Sequence, residues 1–285
     1  MVVDAHIHVY WYGYDPAKLV ENMDEHGIDV SWLLTWETEE GEYSHSYDST
    51  FMEPWHTLPI EAVWEAVEQY PDRFVAGYAP NPKHPNAVER LRRAVRRGVK
   101  VSGEHKFRCL VDDPDAIQLY RAAGEMGIPV VVHLDVPYLP PDDPTKPVKY
   151  WYHGDVGNLE RALVLCPDTV FLGHAPGFWR EVSGDADFDP EAYPQGPITP
   201  GGRLRPMFEK YPNLYGDLSA GSALRAISRD PEWSKRFLID FQDRVLFARD
   251  YFDDKLMTFL RSLELPDDVM AKILSGNALR LAPMD

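Results

Sequence analysis

The chain alternates between short runs of consecutive apolar residues and longer segments in which apolar residues recur every three or four positions. The short runs are rich in valine, leucine and isoleucine, which is typical of strands buried on both faces of a parallel sheet. The longer segments have the period of amphipathic helices. We predict strands at residues 2–8, 30–35, 73–79, 99–103, 129–133, 169–174, 213–218 and 244–250.

Helix boundary signals support the same alternation. The first predicted helix carries Pro16 in its first turn and ends at Gly27, a residue type that readily takes the left-handed conformation after a helix. Further helices are predicted at residues 59–70, 86–97, 114–127, 157–165 and 203–211. Eight strands separated by helices in 285 residues predict an α/β fold, a closed (β/α)8 barrel of the TIM type, with residues 1–285 as a single domain.

Candidate chemistry begins in the first strand. Asp4, His6 and His8 are each two residues apart, so on a regular strand their side chains share one face. Two imidazoles placed in this way can bind the same metal ion. A His-x-His pair alone is weak evidence in a chain with 10 histidines, so the metal hypothesis depends on ligands from later strands.

Further ionisable side chains follow the later strands. They are Glu104 at strand four, His133 at strand five, His174 at strand six and Asp250 at strand eight. In a barrel of this type the carboxyl ends of the strands form the catalytic face, so these four side chains would line one cavity with His6 and His8. Each alone has an ordinary explanation, such as a hydrogen-bonded core histidine or a helix cap. Together they predict a metal centre with these six ligands.

Composition narrows the class of protein. No apolar run approaches the length of about 18 residues that a membrane-spanning helix needs, and the chain opens with a strand pattern in place of a leader, so no membrane association is expected. Only Cys109 and Cys166 are present, as fits a reducing cytoplasm. A formal charge of −17 disfavours nucleic acid and favours a small-molecule substrate. The oligomeric state stays open, with a homo-oligomer among the alternatives.

These motifs resemble the metal-dependent amidohydrolase superfamily, and within it the branch called amidohydrolase family 2. The resemblance covers the whole chain and rests on Asp4-Ala5-His6-Ile7-His8, His133, Gly173-His174, Leu246-Phe247-Ala248-Arg249-Asp250 and Gly276-Asn277-Ala278-Leu279-Arg280-Leu281. It implies a distorted barrel with one or two divalent metal ions. His6, His8 and Asp250 would bind the more buried ion. His133 and His174 would bind a second one, or His133 alone would join the first.

Strand four and the end of strand eight leave alternatives open. Glu104 matches the place of a bridging carboxylate in some members of the superfamily, while others bridge two metals with a carboxylated lysine. Lys106 is therefore either a substrate contact or the alternative bridge; we favour Glu104 because it needs no modification. At strand eight, Ala248-Arg249 replaces the small Gly-Ser or Gly-Thr pair that usually precedes the last aspartate. Arg249 either alters what binds near the metal or faces outward.

The predicted ligands point to a reaction type. A divalent ion on imidazoles and carboxylates lowers the pKa of bound water to about 7 and polarises a carbonyl. Asp250 and His174 are the predicted catalytic residues, Asp250 passing the proton of that water to the leaving group. We therefore predict a metal-dependent hydrolase, with zinc as the first candidate metal and one or two ions, acting on a lactone, ester or amide. A non-oxidative decarboxylase of a small aromatic acid is the nearest alternative, and a non-catalytic binding barrel the distant one.

Substrate preference is expected to come from the long loops after strands one, two, five and six. Trp11, Trp179, Arg180 and Lys106 are the predicted substrate contacts, since aromatic faces and a cation suit a small planar organic acid. The same loops carry further aromatic residues, which either line the site or pack the loops onto the barrel. These are Tyr10, Tyr12, Tyr14, Trp36, Trp55, Tyr150, Trp151, Tyr152 and Phe178, with His153 beside them.

Overall fold

A computed structural model describes residues 1–37, 50–55, 57–135, 152–186 and 191–284. The strands are β1 (Val3–Ile7), β2 (Val30–Leu33), β3 (Phe74–Ala76), β4 (Ser102–His105), β5 (Val130–His133), β6 (Phe171–His174), β7 (Leu214–Asp217) and β8 (Val245–Leu246). The helices are α1 (Pro16–His26), α2 (Ile60–Gln69), α3 (Ala87–Arg96), α4 (Pro114–Glu125), α5 (Val156–Leu165), α6 (Pro176–Trp179), α7 (Leu204–Lys210), α8 (Ala220–Ser228), α9 (Pro231–Asp240), α10 (Lys255–Ser262), α11 (Asp267–Ala271) and α12 (Asn277–Leu281). A 3-10 turn, Arg180–Val182, follows α6, and a π-helical turn, Lys272–Gly276, precedes α12.

The strands form two parallel sheets that meet at both edges. The orders are β1-β2-β3 and β4-β5-β6-β7-β8. A parallel bridge between Gly77 and Val101 joins β3 to β4, and the Ala5 amide donates to the Phe247 carbonyl across β1 and β8 at 3.0 Å. All eight strands are buried along their length, as expected of a parallel sheet covered by helices. The predicted α/β barrel is confirmed.

Local signals account for the helices that the sequence predicts. The Asp15 carboxylate accepts a hydrogen bond from the Lys18 amide at the start of α1, and Gly27 ends the helix with φ 66°. Helix α6 and, after β7 and β8, helices α8 to α11 are additions to the predicted set, while α12 lies in the motif at residues 276–281. Within the described ranges, no helix has both the length and the apolar character needed to cross a membrane.

Strand one departs from the predicted alternation. The register between β1 and β2 shifts between Asp4 and Ile7. Val3 and Ala5 consequently pack with the barrel-interior cluster that contains Val131 and Leu172, while His6 and His8 point to the same interior further along. The prediction that Asp4 shares a face with the two histidines is therefore wrong.

Asp4 instead belongs to a buried ion pair outside the barrel. Its Oδ2 accepts from Nε of Arg249 at 2.8 Å, and Nη1 of Arg249 donates to Asn22 of α1 at 3.0 Å. Of the two alternatives for Arg249, the structure shows the outward-facing one. Arg249, which takes the place of the small residue usual in the family motif, thus connects the end of β8 with β1 and α1. A buried arginine needs a carboxylate partner, and Asp4 provides it.

Candidate metal centre

Four side chains from three strand ends converge at the carboxyl-terminal mouth of the barrel. Nε2 of His8 lies 3.3 Å from Oε2 of Glu104 and 3.5 Å from Oδ1 of Asp250. Nε2 of His6 lies 3.8 Å from each of the same two oxygen atoms. His6, His8 and Glu104 are buried, and Asp250 keeps 13% of its side-chain surface exposed. We call these four side chains the cage.

The cage has the dimensions and chemistry of a site for a divalent cation. Two ligands that each lie about 2.1 Å from a tetrahedral ion are separated by about 3.4 Å. The separations of 3.3 to 3.8 Å between the cage atoms fit that value. Among the described residues, Nε2 of His6 and Oδ1 of Asp250 are buried without a hydrogen-bond partner. Buried polar atoms are rarely left in this state, so a cation between them accounts for the arrangement.

A second set of ligand atoms lies on the other side of Glu104. Its Oε1 lies 3.5 Å from Nε2 of His174 and accepts a hydrogen bond from Nδ1 of His133 at 2.6 Å. Glu104, His133 and His174 are all buried, and their ligand atoms lie within 4.8 Å of one another. The 2.6 Å hydrogen bond is shorter than the separation of two ligands on one ion, so a second cation requires His133 to move outward.

Each cage histidine is oriented through its other ring nitrogen. Nδ1 of His6 donates to Oδ2 of Asp217 at 2.6 Å, and Nδ1 of His8 donates to the Leu34 carbonyl at 2.8 Å. Both hydrogen bonds place the proton on Nδ1, so the lone pair of Nε2 faces the cage. Nδ1 of His174 lies 2.7 Å from Oγ of Ser219, whose own amide donates to Asp217.

Asp217 was missed by the sequence analysis. It is the last residue of β7 and is fully buried, so the strand-end rule that selected the other candidates applies to it as well. Its partners, His6 and Ser219, come from β1 and from the loop before α8, and only the closed barrel brings them together.

The electrostatics of the centre favour a cation. Burial alone would lower the pKa of His6, but Asp217 and Asp250 outweigh it and raise that pKa well above its usual value. Burial would likewise raise the pKa of Glu104, yet Lys106 and His133 hold it well below its usual range. Burial and the neighbouring His6 lower the pKa of His174. Both shifts favour the state in which the group binds a metal ion, namely the ionised carboxylate of Glu104 and the neutral imidazole of His174.

Removing the carboxylate behind His6 is expected to weaken the centre. Asp217→Asn should lower metal affinity by about 10- to 100-fold, because outer partners set the tautomer and basicity of a ligating histidine. Competition with a chromophoric chelator measures this affinity. Asp112→Asn, which alters a carboxylate paired with Arg161 on the outer surface, is the matched control and should leave the affinity unchanged. Equal affinities for the two variants would remove Asp217 from the site.

An open cavity of about 310 Å³ lies over the centre. His133, His174 and Asp250 reach its floor. Six aromatic residues line its walls: Trp11, Tyr12, Trp36, Tyr152, Tyr193 and Tyr251. The other wall residues are Thr50, Lys106, Asp135, Ala175, Pro176, Ala220 and Ser222. We call it the reaction cavity. Nζ of Lys106 lies 3.6 Å from the ring centre of Trp36 and 5.6 Å from that of Tyr152, so the ammonium lies against the aromatic wall. Of the two strand-four side chains, Glu104 lies beside the histidines of the cage, and Lys106 lines the reaction cavity.

Two predicted substrate contacts lie elsewhere. Trp179 is fully buried, and its Nε1 donates to the Asp217 carbonyl at 2.7 Å. Arg180 is also buried and donates to the Ala186 carbonyl. The predictions for Trp179 and Arg180 as substrate contacts are wrong for the same reason. Helix α6 and the turn after it follow β6 directly, and they direct both side chains into the protein. Trp11 and Lys106 do line the reaction cavity. Tyr150 and Trp151 lie outside the described residues.

A parallel barrel that holds such a cage at its carboxyl-terminal mouth is the framework of a metal-dependent enzyme. Residues 3–283 match the family model described as Amidohydrolase, so the chain belongs to the amidohydrolase family, in the branch that its motifs resemble. It is an enzyme of that family. A comparison with curated protein sequences finds no match.

Solved structures with the same architecture include three from proteobacteria. An uncharacterised TIM-barrel protein of Bordetella bronchiseptica is 18% identical, with a TM-score of 0.66, covering 98% of this chain and 97% of that one. A putative 2-pyrone-4,6-dicarboxylic acid hydrolase of Pseudomonas putida is 14% identical, with a TM-score of 0.62, covering 100% and 98%. A 5-carboxyvanillate decarboxylase of Novosphingobium aromaticivorans, complexed with manganese, is 18% identical, with a TM-score of 0.59, covering 95% and 81%. At such identities the likeness shows a shared fold.

Proposed function

We propose that this enzyme is a metal-dependent hydrolase that cleaves a lactone, ester or amide bond in a small organic acid. The observation that carries the proposal is the position of Glu104. One of its oxygens faces His6 and His8, and the other faces His133 and His174. A carboxylate between two sets of imidazoles suits a bridge between two cations, which hydrolysis uses and decarboxylation does not need.

The first ion would be held by His6, His8, Glu104 and Asp250. The second ion would be held by Glu104, His133 and His174. When bound, such an ion supplies an activated water at neutral pH and polarises a carbonyl group. Zinc remains the first candidate, since imidazole and carboxylate ligands suit it.

Two contacts of Asp250 support a role in proton transfer. Its Oδ1 belongs to the cage, and its Oδ2 lies 3.9 Å from Nε2 of His174. Its partial exposure is on the side of the reaction cavity, where substrate enters. The carboxylate can therefore accept a proton at the centre and deliver it to a leaving group in the cavity, with His174 as its neighbour.

The reaction cavity supports a small planar acid as substrate. Its volume of about 310 Å³ is near the lower end of small-molecule sites, and its aromatic walls offer flat faces. The Lys106 ammonium, held over Trp36, provides a charge for a carboxylate. The charge of −17 supports a free small molecule as substrate over nucleic acid.

The proposal also includes a cytoplasmic location. The two free buried cysteines support that location.

Decarboxylation is the second candidate, and one observation favours it. The hydrogen bond between His133 and Glu104 occupies the second set of ligands, so the structure presents one complete cage. A decarboxylase of this kind needs a single metal ion. The binding-barrel alternative is set aside, because the chain is an enzyme of the amidohydrolase family.

A product assay distinguishes the two reactions. Lactones, esters and amides of aromatic and sugar acids are incubated with the enzyme beside hydroxybenzoates, while acid production and carbon dioxide are both followed. We expect acid without carbon dioxide, and a loss of about 100-fold or more in kcat for Glu104→Gln, because the amide cannot bridge two cations. Glu125→Gln on the surface is the control. Carbon dioxide from a benzoate, with Glu104→Gln still active, would establish decarboxylation instead.

A further inference from the structure

Tyr193 separates the reaction cavity from a second cavity. This side cavity has a volume of about 490 Å³ and lies between α8 and α10, lined among others by Leu224, Arg225, Arg249, Lys255 and Leu256. The two cavities share Tyr193, Ala220 and Tyr251 in their walls. The partition between them is thus a single layer of side chains.

The ring of Tyr193 is held from the side-cavity face. The guanidinium carbon of Arg225 lies 4.6 Å from the centre of the ring, a cation–π contact. Burial has the largest influence on the Tyr193 hydroxyl and raises its pKa, which Arg225 and Lys106 lower and Asp135 and Asp250 raise. Tyr193 therefore stands across the boundary, because it lines both cavities and its ring lies against Arg225.

Among the described residues, the side cavity carries one positive charge without a carboxylate partner. Arg249 pairs with Asp4, and Lys255 pairs with Asp253. Arg225 makes its contact with Tyr193, and within the described part of the chain it has no ion-pair or hydrogen-bond partner for its side chain. Leu218, Leu224 and Leu256 supply apolar walls. In a chain with a charge of −17, such a cavity suits an apolar group that ends in an anion.

We propose that Tyr193 sets the length limit of the ligand in the direction of the side cavity, and that Arg225 gives the space behind it a preference for anionic groups. With Tyr193 in place, a ligand at the centre cannot extend into the side cavity. Removal of the phenol ring joins the two cavities into one space that reaches from Lys106 to Arg225. This inference rests on the proposed function in one respect, because it assumes that the first carboxylate of the ligand lies in the reaction cavity.

Calorimetric titration of the metal-containing enzyme tests the proposal without requiring turnover. The probes are benzoate, biphenyl-4-carboxylate and biphenyl-4,4′-dicarboxylate. Tyr193→Ala should bind the dicarboxylate about ten-fold tighter than the wild type or Tyr193→Phe, which keeps the ring. In the Tyr193→Ala background, Arg225→Gln should abolish the advantage of the dicarboxylate over the monocarboxylate. Tyr12→Ala is the matched control, because Tyr12 lines the reaction cavity but not the side cavity.

The outcomes separate this proposal from the proposed function. Unchanged dicarboxylate affinity in Tyr193→Ala, or an equal gain in Tyr12→Ala, overturns the role of Tyr193. An advantage of the dicarboxylate that survives Arg225→Gln overturns the role of Arg225. Failure of the wild type to hydrolyse any ester or lactone counts against the proposed function alone, because the titrations compare binding and not catalysis.

Discussion

Asp250→Asn is expected to lower kcat by about 1,000-fold while the barrel stays folded, because a positioned general base contributes roughly 10²- to 10⁴-fold. Asparagine preserves the shape of the side chain and can still present an oxygen to the cage, but it cannot accept a proton. Asp250 also combines a cage atom at 3.5 Å from His8 with partial exposure to the reaction cavity. These two features support the proposed role of Asp250 in proton exchange with substrate.

Steady-state kinetics on the substrate found by the product assay measure this loss, with metal content determined on the same samples. Asp254→Asn, an exposed aspartate four residues further along, is the matched control and should keep wild-type kcat. If Asp250→Asn retains wild-type turnover with full metal loading, Asp250 has no part in proton transfer.

The double variant His6→Ala with His8→Ala is expected to be purified with less than about a tenth of an equivalent of metal. It removes two of the four cage atoms, whereas loss of an outer partner alone costs 10- to 100-fold in affinity. Elemental analysis of the purified protein gives the metal content, and circular dichroism checks the fold.

The matched control is the double variant His26→Ala with His84→Ala, which changes the last residue of α1 and a residue of the loop before α3, neither of which belongs to a group of ligand atoms described above. It should retain wild-type metal content. Full loading of the His6 and His8 variant would show that the metal, if present, binds elsewhere.

The sequence predicted the barrel well because parallel strands buried on both faces leave a strong local signal. It predicted the positions of His6, His8, His133, His174 and Asp250 for the same reason, since each follows an apolar run. Helices α8 to α10 follow the last two strands, and their segments were not assigned, although Asp230-Pro231 at the start of α9 is the same signal that marks the start of α1.

The errors have physical causes that no local pattern records. Asp4 leaves the shared face because the register shifts within β1, and its partner Arg249 is 245 positions away in the chain. Trp179 and Arg180 point inward because α6 begins immediately after β6. Tyr193 lies in a loop rich in proline and glycine, and its place in the reaction cavity depends on contacts made by α8. Side-chain direction at loop positions is decided by tertiary packing and not by sequence spacing.

An anomalous diffraction map from crystals of the enzyme as purified, collected at the absorption edge of the metal that elemental analysis finds, tests the cage most directly. We expect a peak bounded by Nε2 of His6, Nε2 of His8, Oε2 of Glu104 and Oδ1 of Asp250, with a second peak near His133 and His174 if both sites are filled. A catalytically active crystal form whose anomalous peaks all lie away from these four atoms would contradict the metal centre described above.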